Sequence, residues 1–298
     1  MLRALIIAVL GFAIGPANES IAVILVHYGL LFALLPLALK LPAKALWPLA
    51  IGWLAAAPLL WRPLAHAWAG QSLHHNPNVL DLLHPALLLK DLAVTGYYPL
   101  MIWLGYGLLG AALGRLELQR PRTAGLMAGI GGGIAALTLA AGWLASTAQS
   151  QRIAQLAGIS HSEVPALLAT GRLPEANLDP LLGESFFYWL PTGHSDSLLA
   201  TLHAAACAVM FLGLLNLLIP RLPVAGKILA GAGRAPLTLY AGHLIALPLM
   251  KTSMDPAAIW WTLCAATLAC GLLLGLTKLS GPLEYLVRVL SGADQKSS

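Results

Sequence analysis

Residues 196–219 read DSLLATLHAAACAVMFLGLLNLLI, and after Asp196 this run contains no Lys, Arg, Asp or Glu. A bilayer core of about 30 Å requires about 20 apolar residues in a helix. Because lipid offers no hydrogen-bond partners, the backbone of such a run must satisfy itself as a helix. The run therefore predicts a transmembrane helix, and we expect an integral membrane protein.

Similar runs recur along the chain. Only 17 basic and 12 acidic residues occur among its 298 residues, and they gather between the apolar runs. We predict an all-α, polytopic transmembrane bundle that forms one domain over residues 1–291, followed by a disordered tail at 292–298. Eight spans are expected, at residues 2–15, 20–39, 45–61, 96–114, 123–147, 196–219, 229–250 and 257–278.

The basic residues indicate the orientation of these spans. Counted on alternate sides, twelve Lys and Arg residues lie on one side and five on the other. Because cytoplasmic loops carry the excess of Lys and Arg, the first side is predicted to be cytoplasmic, with both termini there. The long loops 62–95 and 148–195 then lie outside. The net charge of +5 is explained by contact with anionic headgroups and gives no reason to expect a nucleic-acid partner.

The two outer loops carry local helix signals. Residues 78–81 read NVLD and predict a capped short helix, and residues 160–163 read SHSE and have capping-box spacing. A helix after Glu163 is expected to stop at Gly171. The segment 80–93 is expected to lie in the membrane interface.

Small residues at four-residue spacing predict close helix packing in lipid. The residues with this spacing are Gly125, Gly129 and Gly133, and the pair Gly110 and Gly114.

Polar side chains inside the predicted spans are functional hypotheses by default, because they are costly there. They are His27 and Tyr28 in the second span, His203 in the sixth and His243 in the seventh. The alternative for each histidine is a neutral ring that is hydrogen-bonded to a neighbouring helix.

The predicted outer rim holds a denser polar and aromatic group. His194 precedes the sixth span and Asp196 opens it, and an imidazole beside a carboxylate is suited to general-base catalysis. Ser195 is predicted to cap that helix, with Asp196 at its positive end. The residues Tyr97, Tyr98 and Trp103 open the fourth span, and an interfacial aromatic belt is the alternative explanation for them.

At the predicted inner rim, Arg115 ends the fourth span and Arg234 precedes the seventh. Arg side chains and helix N-termini suit phosphate groups, although positive-inside anchoring is the simpler explanation for any one Arg. Four outer histidines, at 66, 74, 75 and 84, match no known metal-binding spacing, and we predict no metal site.

Several motifs resemble one family of bacterial membrane proteins. They are TGYYP at 95–99 with WLGY at 103–106 and Gly114-Arg115, ILVHYGLLF at 24–32, Pro191–Ser195, GRAPLTLY at 233–240 with His243, and GPLEYLVR at 281–288. In this order they resemble bacterial relatives of heparan-α-glucosaminide N-acetyltransferase, including the YeiB-like branch.

The resemblance implies a multi-pass acyltransferase of the bacterial cytoplasmic membrane. It would move an acyl group from cytoplasmic acyl-CoA, expected to be acetyl-CoA, to an extracytoplasmic glycan or small hydroxyl or amine compound. The implied roles are catalysis by His194, Asp196 and His243 and donor binding by Arg115 and Arg234. The residues implied to bind the acceptor are His27, Tyr28, Tyr97, Tyr98 and Trp103. A homo-oligomer is among the expected partners.

The chain departs from the family at its start, since family members begin with about three further helices that carry an "RG…M…H" signature. We therefore expect little acyltransferase activity from this chain alone. Two other functions remain open: a small-molecule transporter, suggested by His243 and the proline-broken helices, and a non-catalytic membrane subunit.

Overall fold

The structure is a computed structural model that describes residues 1–17, 21–170 and 178–292. All regular secondary structure in the described residues is helical, with no strand among them. The helices are α1 Leu2–Ile14, α2 Leu25–Ala38, α3 Ala43–Ala67, α4 Pro85–Lys90, α5 Leu100–Leu113, α6 Pro121–Ala148, α7 Ser150–Ala157, α8 Val164–Ala169, α9 Leu198–Leu218, α10 Pro223–Ala232, α11 Pro236–Lys251, α12 Pro256–Thr277 and α13 Pro282–Leu290. The all-α prediction is confirmed; residue 171 and residues 293–298, where a helix stop and a disordered tail are predicted, lie outside the described residues.

Several helices are long and apolar enough to cross a membrane, which fits a membrane protein. Within the described residues these are Ala43–Ala67, Pro121–Ala148, Leu198–Arg221 and Pro256–Thr277. A fifth candidate is the pair Pro85–Thr95 and Leu100–Leu113, which is bent by 56° at its break. The helices α1 and α2 are apolar but have only 13 and 14 residues.

The predicted seventh span, 229–250, is wrong as one continuous helix. The structure divides it into α10 and α11 at Gly233–Ala235. Pro236 explains the break, because a proline cannot donate its amide to the preceding turn and disfavours helical geometry in the residue before it. Ala235 accordingly has φ −134° and ψ 38°.

The chain forms two compact units. Unit 1 comprises Met1–Ala33, Leu73–Pro85 and Leu218–Ser298, and unit 2 comprises Leu34–Ser72 and Ala86–Leu217. A single domain over 1–291 stays a prediction.

In unit 2, α6 and α9 run antiparallel and their backbones approach closely. A Cβ on Gly131 would lie 2.6 Å from the Met210 amide nitrogen, and one on Gly213 would lie 2.5 Å from that of Ala128. Near the other end of the pair, a Cβ on Gly142 would lie 2.8 Å from a Leu199 methyl carbon. Glycine is therefore needed at these three positions for the two helices to pack.

The predicted glycine stripe is a different one, and it packs against no other helix within the described residues. Gly125, Gly129, Gly133 and Gly110 are exposed, with no atom within 4 Å of a Cβ built on any of them. A Cβ built on Gly114 would meet only carbonyl oxygens of its own helix, at 3.4 and 3.6 Å. Within the described residues, the packed face of α6 is the one that carries Gly131.

The described residues between α6 and α9 share one apolar core with α3 and α5. Ile153, Val164, Leu181, Phe187 and Leu190 are at most 1% exposed, so this part of the chain packs as an integral part of unit 2. The predicted capping box at 160–163 is wrong, because the Ser160 side chain makes no cap hydrogen bond.

Unit 1 contains the other predicted cap, and here the prediction is confirmed. The Asn78 side chain accepts from the Leu80 amide at 2.8 Å, and Asp81 accepts from the Asn78 amide at 2.7 Å. Nearby, buried Asn76 accepts from the Val23 amide at 2.7 Å and donates to the Ile21 carbonyl at 2.8 Å. These bonds hold the entry to α2 in place.

Helices α10 and α12 also pack through glycines. A Cβ on Gly271 would lie 2.5 Å from the Ile228 carbonyl, and one on Gly275 would lie 2.5 Å from that of Lys227. A Cβ on Gly231 would collide with the Gly271 carbonyl. The four-residue spacing of Gly271 and Gly275 is the same packing signal as in the predicted stripe, here on a contact face.

Candidate functional site

Three aromatic rings and one histidine form a cluster near the start of α5, here called the aromatic cluster: Tyr98, Trp103, Tyr106 and His194. The Tyr98 and Trp103 ring centroids are 5.3 Å apart and those of Trp103 and Tyr106 are 5.6 Å apart, both edge-to-face. Such pairs add about 0.5–1.5 kcal/mol beyond burial, so the rings hold one another in place. The His194 ring centroid is 6.5 Å from that of Tyr98.

Helix α3 fixes the position of this cluster. The Trp53 indole nitrogen donates to the Met101 carbonyl at 2.8 Å, and the Trp61 indole nitrogen donates to the Val94 carbonyl at 2.8 Å. The two bonds hold both sides of the bend that precedes α5. Tyr97 is half-buried at the same bend.

The loop that carries His194 is anchored at both ends. Pro191 packs where a Cβ on Gly142 would lie only 2.6 Å away. The Ser197 hydroxyl donates to the Leu190 carbonyl at 2.6 Å and accepts from the Ala200 amide at 3.0 Å. Ser197 is therefore the residue that caps α9.

The prediction that Ser195 caps this helix is wrong, because α9 begins two residues later than expected. The Ser195 hydroxyl instead donates to the Thr192 carbonyl at 2.8 Å and closes the loop. The Thr192 hydroxyl is buried and has no hydrogen-bond partner in the described part of the chain.

His194 and Asp196 both have left-handed backbone conformations, with φ 59° and 51°. Residues other than glycine adopt this region at a cost of about 1–3 kcal/mol, and such residues cluster at functional sites. His194 is exposed, whereas Asp196 is half-buried and lies within electrostatic reach of the Tyr106 hydroxyl. The loop thus presents an imidazole at the edge of an aromatic surface.

A buried carboxylate lies at the bend before α5, and the sequence reasoning missed it. Asp91 is 3% exposed and begins a short π-helical turn, Asp91–Thr95. A Cβ on Gly96 would lie 2.5 Å from an Asp91 carboxylate oxygen, which explains the glycine of the TGYYP motif. The sequence signal for such a site is an acidic residue within an apolar segment, because a buried charge is costly.

The remaining predicted residues of the second and seventh spans belong to unit 1. His27 is buried at 1% exposure in α2, while Tyr28 is 38% exposed and packs on Phe32. The Ile24 amide donates to the Tyr240 hydroxyl at 3.1 Å, and the Tyr240 ring lies 5.1 Å from that of His243. The structure thus brings the start of α2 and the polar part of α11 together.

The two predicted donor-binding arginines both donate to helix carbonyls. Arg115 Nη2 lies 2.6 Å from the Leu39 carbonyl, and Arg234 Nη1 lies 3.2 Å from the Leu274 carbonyl. Both side chains are exposed. A cation beside the C-terminal carbonyls of a helix is a stabilising arrangement in itself.

The N-terminus of α11 is already occupied by a carboxylate. Glu284 Oε1 accepts from the Leu237 amide at 2.5 Å and from the Thr238 amide at 3.1 Å, and Oε2 accepts from the Thr238 hydroxyl at 2.6 Å. The GRAPLTLY and GPLEYLVR motifs are therefore joined by a helix cap supplied from α13.

A polar cavity of about 460 Å³ lies where α6 meets α7. Sequence reasoning missed it, because its polar residues are ordinary loop residues by sequence. Ser150 in this cavity hydrogen-bonds to His161 Nε2 at 2.8 Å and to the Thr147 carbonyl at 2.9 Å. Since the carbonyl requires the hydroxyl proton, His161 donates to Ser150, and the serine is not activated as a nucleophile.

No group of three or more His, Cys, Asp and Glu residues is arranged to hold a metal within residues 1–17, 21–170 and 178–292. In the His-rich stretch, His75 Nε2 lies 3.1 Å from the Asp81 carboxylate and supports the capped turn.

No family model, no curated protein and no solved structure matches this chain.

Proposed function

We propose that this chain is an acyltransferase-like membrane protein that binds an extracytoplasmic sugar or small hydroxyl or amine compound at the aromatic cluster. The observation that carries the proposal is the placement of His194 beside the edge-to-face rings of Tyr98 and Trp103. Aromatic faces bind the apolar faces of sugar rings, and an exposed imidazole accepts a proton from an amine or hydroxyl group. The motif resemblance supplies the reaction class.

In this proposal the acyl donor is a cytoplasmic acyl-CoA, expected to be acetyl-CoA. An Arg guanidinium has five N–H donors, so Arg115 and Arg234 keep donors for phosphate after each binds its helix carbonyl. Because Glu284 already accepts from the N-terminal amides of α11, those amides do not bind phosphate in this proposal. The phosphates of the donor would contact the arginine side chains instead. Within unit 2, Asp196 is proposed to assist proton transfer and Tyr97 to line the acceptor site. The roles that the resemblance implies for His243, His27 and Tyr28, which belong to unit 1, stay predictions.

The proposed membrane arrangement has eight spans with both termini in the cytoplasm. The four long helices and the bent pair supply five crossings. The other three would come from α1, α2 and the α10–α11 pair. At 1.5 Å per residue, α1 and α2 are each about 20 Å long, so they cross only with flanking residues or local bilayer thinning.

Ligand binding tests the acceptor site without requiring turnover. Calorimetric titration of the purified chain with glucosamine is expected to give measurable binding that Trp103→Phe weakens and His194→Gln weakens further. Trp143→Phe is the matched control, because Trp143 is 55% exposed on α6, outside the cluster. Equal loss in all three variants, or no binding of any amino sugar or sugar alcohol tested, would remove the acceptor assignment.

Acceptor-dependent release of CoA from acetyl-CoA tests the reaction class. His194→Ala is expected to lower any such rate by about 10²-fold or more, as for loss of a general base. His84→Ala, which removes another exposed histidine, is expected to leave the rate unchanged.

A transporter is the second candidate, and one observation favours it. The bent helix pair is interrupted at residues 96–99, and the buried carboxylate of Asp91 lies in its first part. Broken helices and buried ionisable groups are common at transporter binding sites. Uptake of labelled glucosamine into proteoliposomes that is lost in Asp91→Asn would favour transport, whereas binding without uptake favours the transferase.

A further inference from the structure

Three side chains between α6 and α9 form a hydrogen-bonded series, here called the Cys207 relay: Thr138, His203 and Cys207. His203 Nδ1 lies 2.9 Å from the Thr138 hydroxyl, and His203 Nε2 lies 3.5 Å from Cys207 Sγ. The histidine and the cysteine are one helical turn apart on α9. The predicted alternative for His203, a histidine hydrogen-bonded to another helix, is confirmed, but its second nitrogen has a further contact.

The backbone of α6 fixes which nitrogen of His203 carries the proton. Nδ1 also lies 3.1 Å from the Ala135 carbonyl oxygen, which can only accept a hydrogen bond. The Thr138 hydroxyl can donate to the Ile134 carbonyl at 2.8 Å, which leaves it an acceptor towards Nδ1. The neutral ring therefore carries its hydrogen on Nδ1, and the lone pair of Nε2 faces the Cys207 thiol.

The surrounding helices hold this geometry rigidly. Gly131 brings the α6 backbone against Ala206 and Met210, immediately beside Cys207 on α9. Thr138 is 9% exposed, whereas Cys207 is only partly buried. A nucleophile, a base beside it and a group that orients the base are the recurring parts of an activated thiol.

We propose that Cys207 is a reactive thiol and a covalent modification site for lipid-soluble α,β-unsaturated carbonyl compounds. The position of Cys207 selects this reagent class. It is the tenth residue of α9, about 14 Å along the helix from Leu198 at 1.5 Å per residue. A charged reagent such as a CoA ester is kept at the surface by its phosphates, so an electrophile that reaches the thiol must dissolve in the bilayer.

The reaction is a conjugate addition. Cys207 Sγ bonds to the β-carbon of the electrophile, and the carbon–carbon π pair moves onto the α-carbon and carbonyl as an enolate. The thiol proton passes to His203 Nε2 and then to the α-carbon, which restores the carbonyl group and the neutral histidine. No oxidant or further reactant is needed, and the relay ends in its starting protonation state.

The chain contains its own matched controls for a test. Cys264 and Cys270 also lie in an apolar helix, α12, and are also partly buried. Helix α12 contains no histidine, so neither thiol has an imidazole one turn away on its own helix. A comparison of the three sites in one sample needs no variant and does not depend on the protein's function.

The experiment measures the rate at which N-ethylmaleimide, a membrane-permeant unsaturated carbonyl, modifies each cysteine of the full chain in proteoliposomes. Peptide mass spectrometry resolves the three sites. We expect Cys207 to react about 10²-fold faster than Cys264 and Cys270, the lower end of what a positioned base contributes. His203→Gln is expected to bring the Cys207 rate down to that of the other two, and Thr138→Val to lower it by less.

A sulfonated, membrane-impermeant maleimide distinguishes the route of entry and is expected to leave Cys207 unmodified in sealed vesicles. Equal rates at the three cysteines would overturn the proposal. So would an unchanged Cys207 rate in His203→Gln, because a fast rate that does not need the histidine reports only better access.

Discussion

At the scale of single residues, Glu284 shows how one carboxylate connects two distant motifs. It accepts from two backbone amides and one hydroxyl at the start of α11. Beside it, the Gly281 amide donates to the Arg234 carbonyl at 3.2 Å, and a Cβ at Gly281 would press on Thr238 Oγ1 at 2.6 Å. Several residues of the two motifs therefore serve the cap, whatever else they do.

We expect Glu284→Ala to destabilise the protein by about 2–3 kcal/mol, because a charge-assisted cap is lost and two partly buried amides are left without a partner. Glu284→Gln should cost less, since an amide oxygen still accepts from the backbone. Thermal unfolding in detergent measures both. Glu117→Gln is the control: Glu117 forms an exposed ion pair with Arg120, which contributes little. A Glu284→Ala midpoint equal to that of Glu117→Gln would contradict the cap's importance.

At the scale of helices, two glycines of α6 that are two positions apart differ in their surroundings. Gly131 lies in the contact with α9, and Gly129 lies outside it. Gly131→Ala is expected to destabilise by about 1–3 kcal/mol, because its Cβ would meet backbone atoms that cannot move aside easily. Gly129→Ala should be neutral or slightly stabilising, since that position is open and alanine favours a helix. Thermal unfolding of the two variants gives the comparison; similar losses in both would mean that Gly129 is also packed, for example against another copy of the chain.

The same contact shows what sequence could and could not predict. The run at 196–219 predicts α9 within two residues at its start and one at its end, because hydropathy reports directly on a helix in lipid. Which face of α6 meets α9 was not predictable, since both faces carry glycine. The helix caps show the same difference. The Asn78 cap depends on neighbouring residues in the sequence, so the sequence predicts it. The cap of α9 is Ser197 and not Ser195, because packing on Gly142 sets where α9 begins.

At the scale of the whole molecule, the charge distribution predicts an orientation that labelling can test. In a background with Cys207, Cys264 and Cys270 replaced by Ala, we place single cysteines at Gln119, Ser162 and Ser253. The positive-inside rule puts residue 119 in the cytoplasm and residues 162 and 253 outside. An impermeant maleimide should label 162 and 253 in intact cells, and 119 only in inverted vesicles.

Each position tests a separate part of the topology. Label on 119 and 162 from the same face would mean that α6 does not cross the membrane. Label on 253 from the cytoplasm would remove the α10–α11 crossing and with it the count of eight spans. The candidate site depends on this result, because His194 must face the compartment that holds the acceptor.

The left-handed backbone at His194 and Asp196 limits which substitutions these positions tolerate. Their solvent accessibility suggests freedom, yet a β-branched residue such as Val would clash with its own backbone at φ near 60°. Asn and Gly accept this conformation most readily. His194→Asn therefore removes the imidazole while the loop keeps its shape, and His194→Val disturbs both. In a library at these two sites, we expect the variants with Asn, Asp or Gly to fold. Among the folded variants at position 194, any loss of activity then reflects the loss of the imidazole ring.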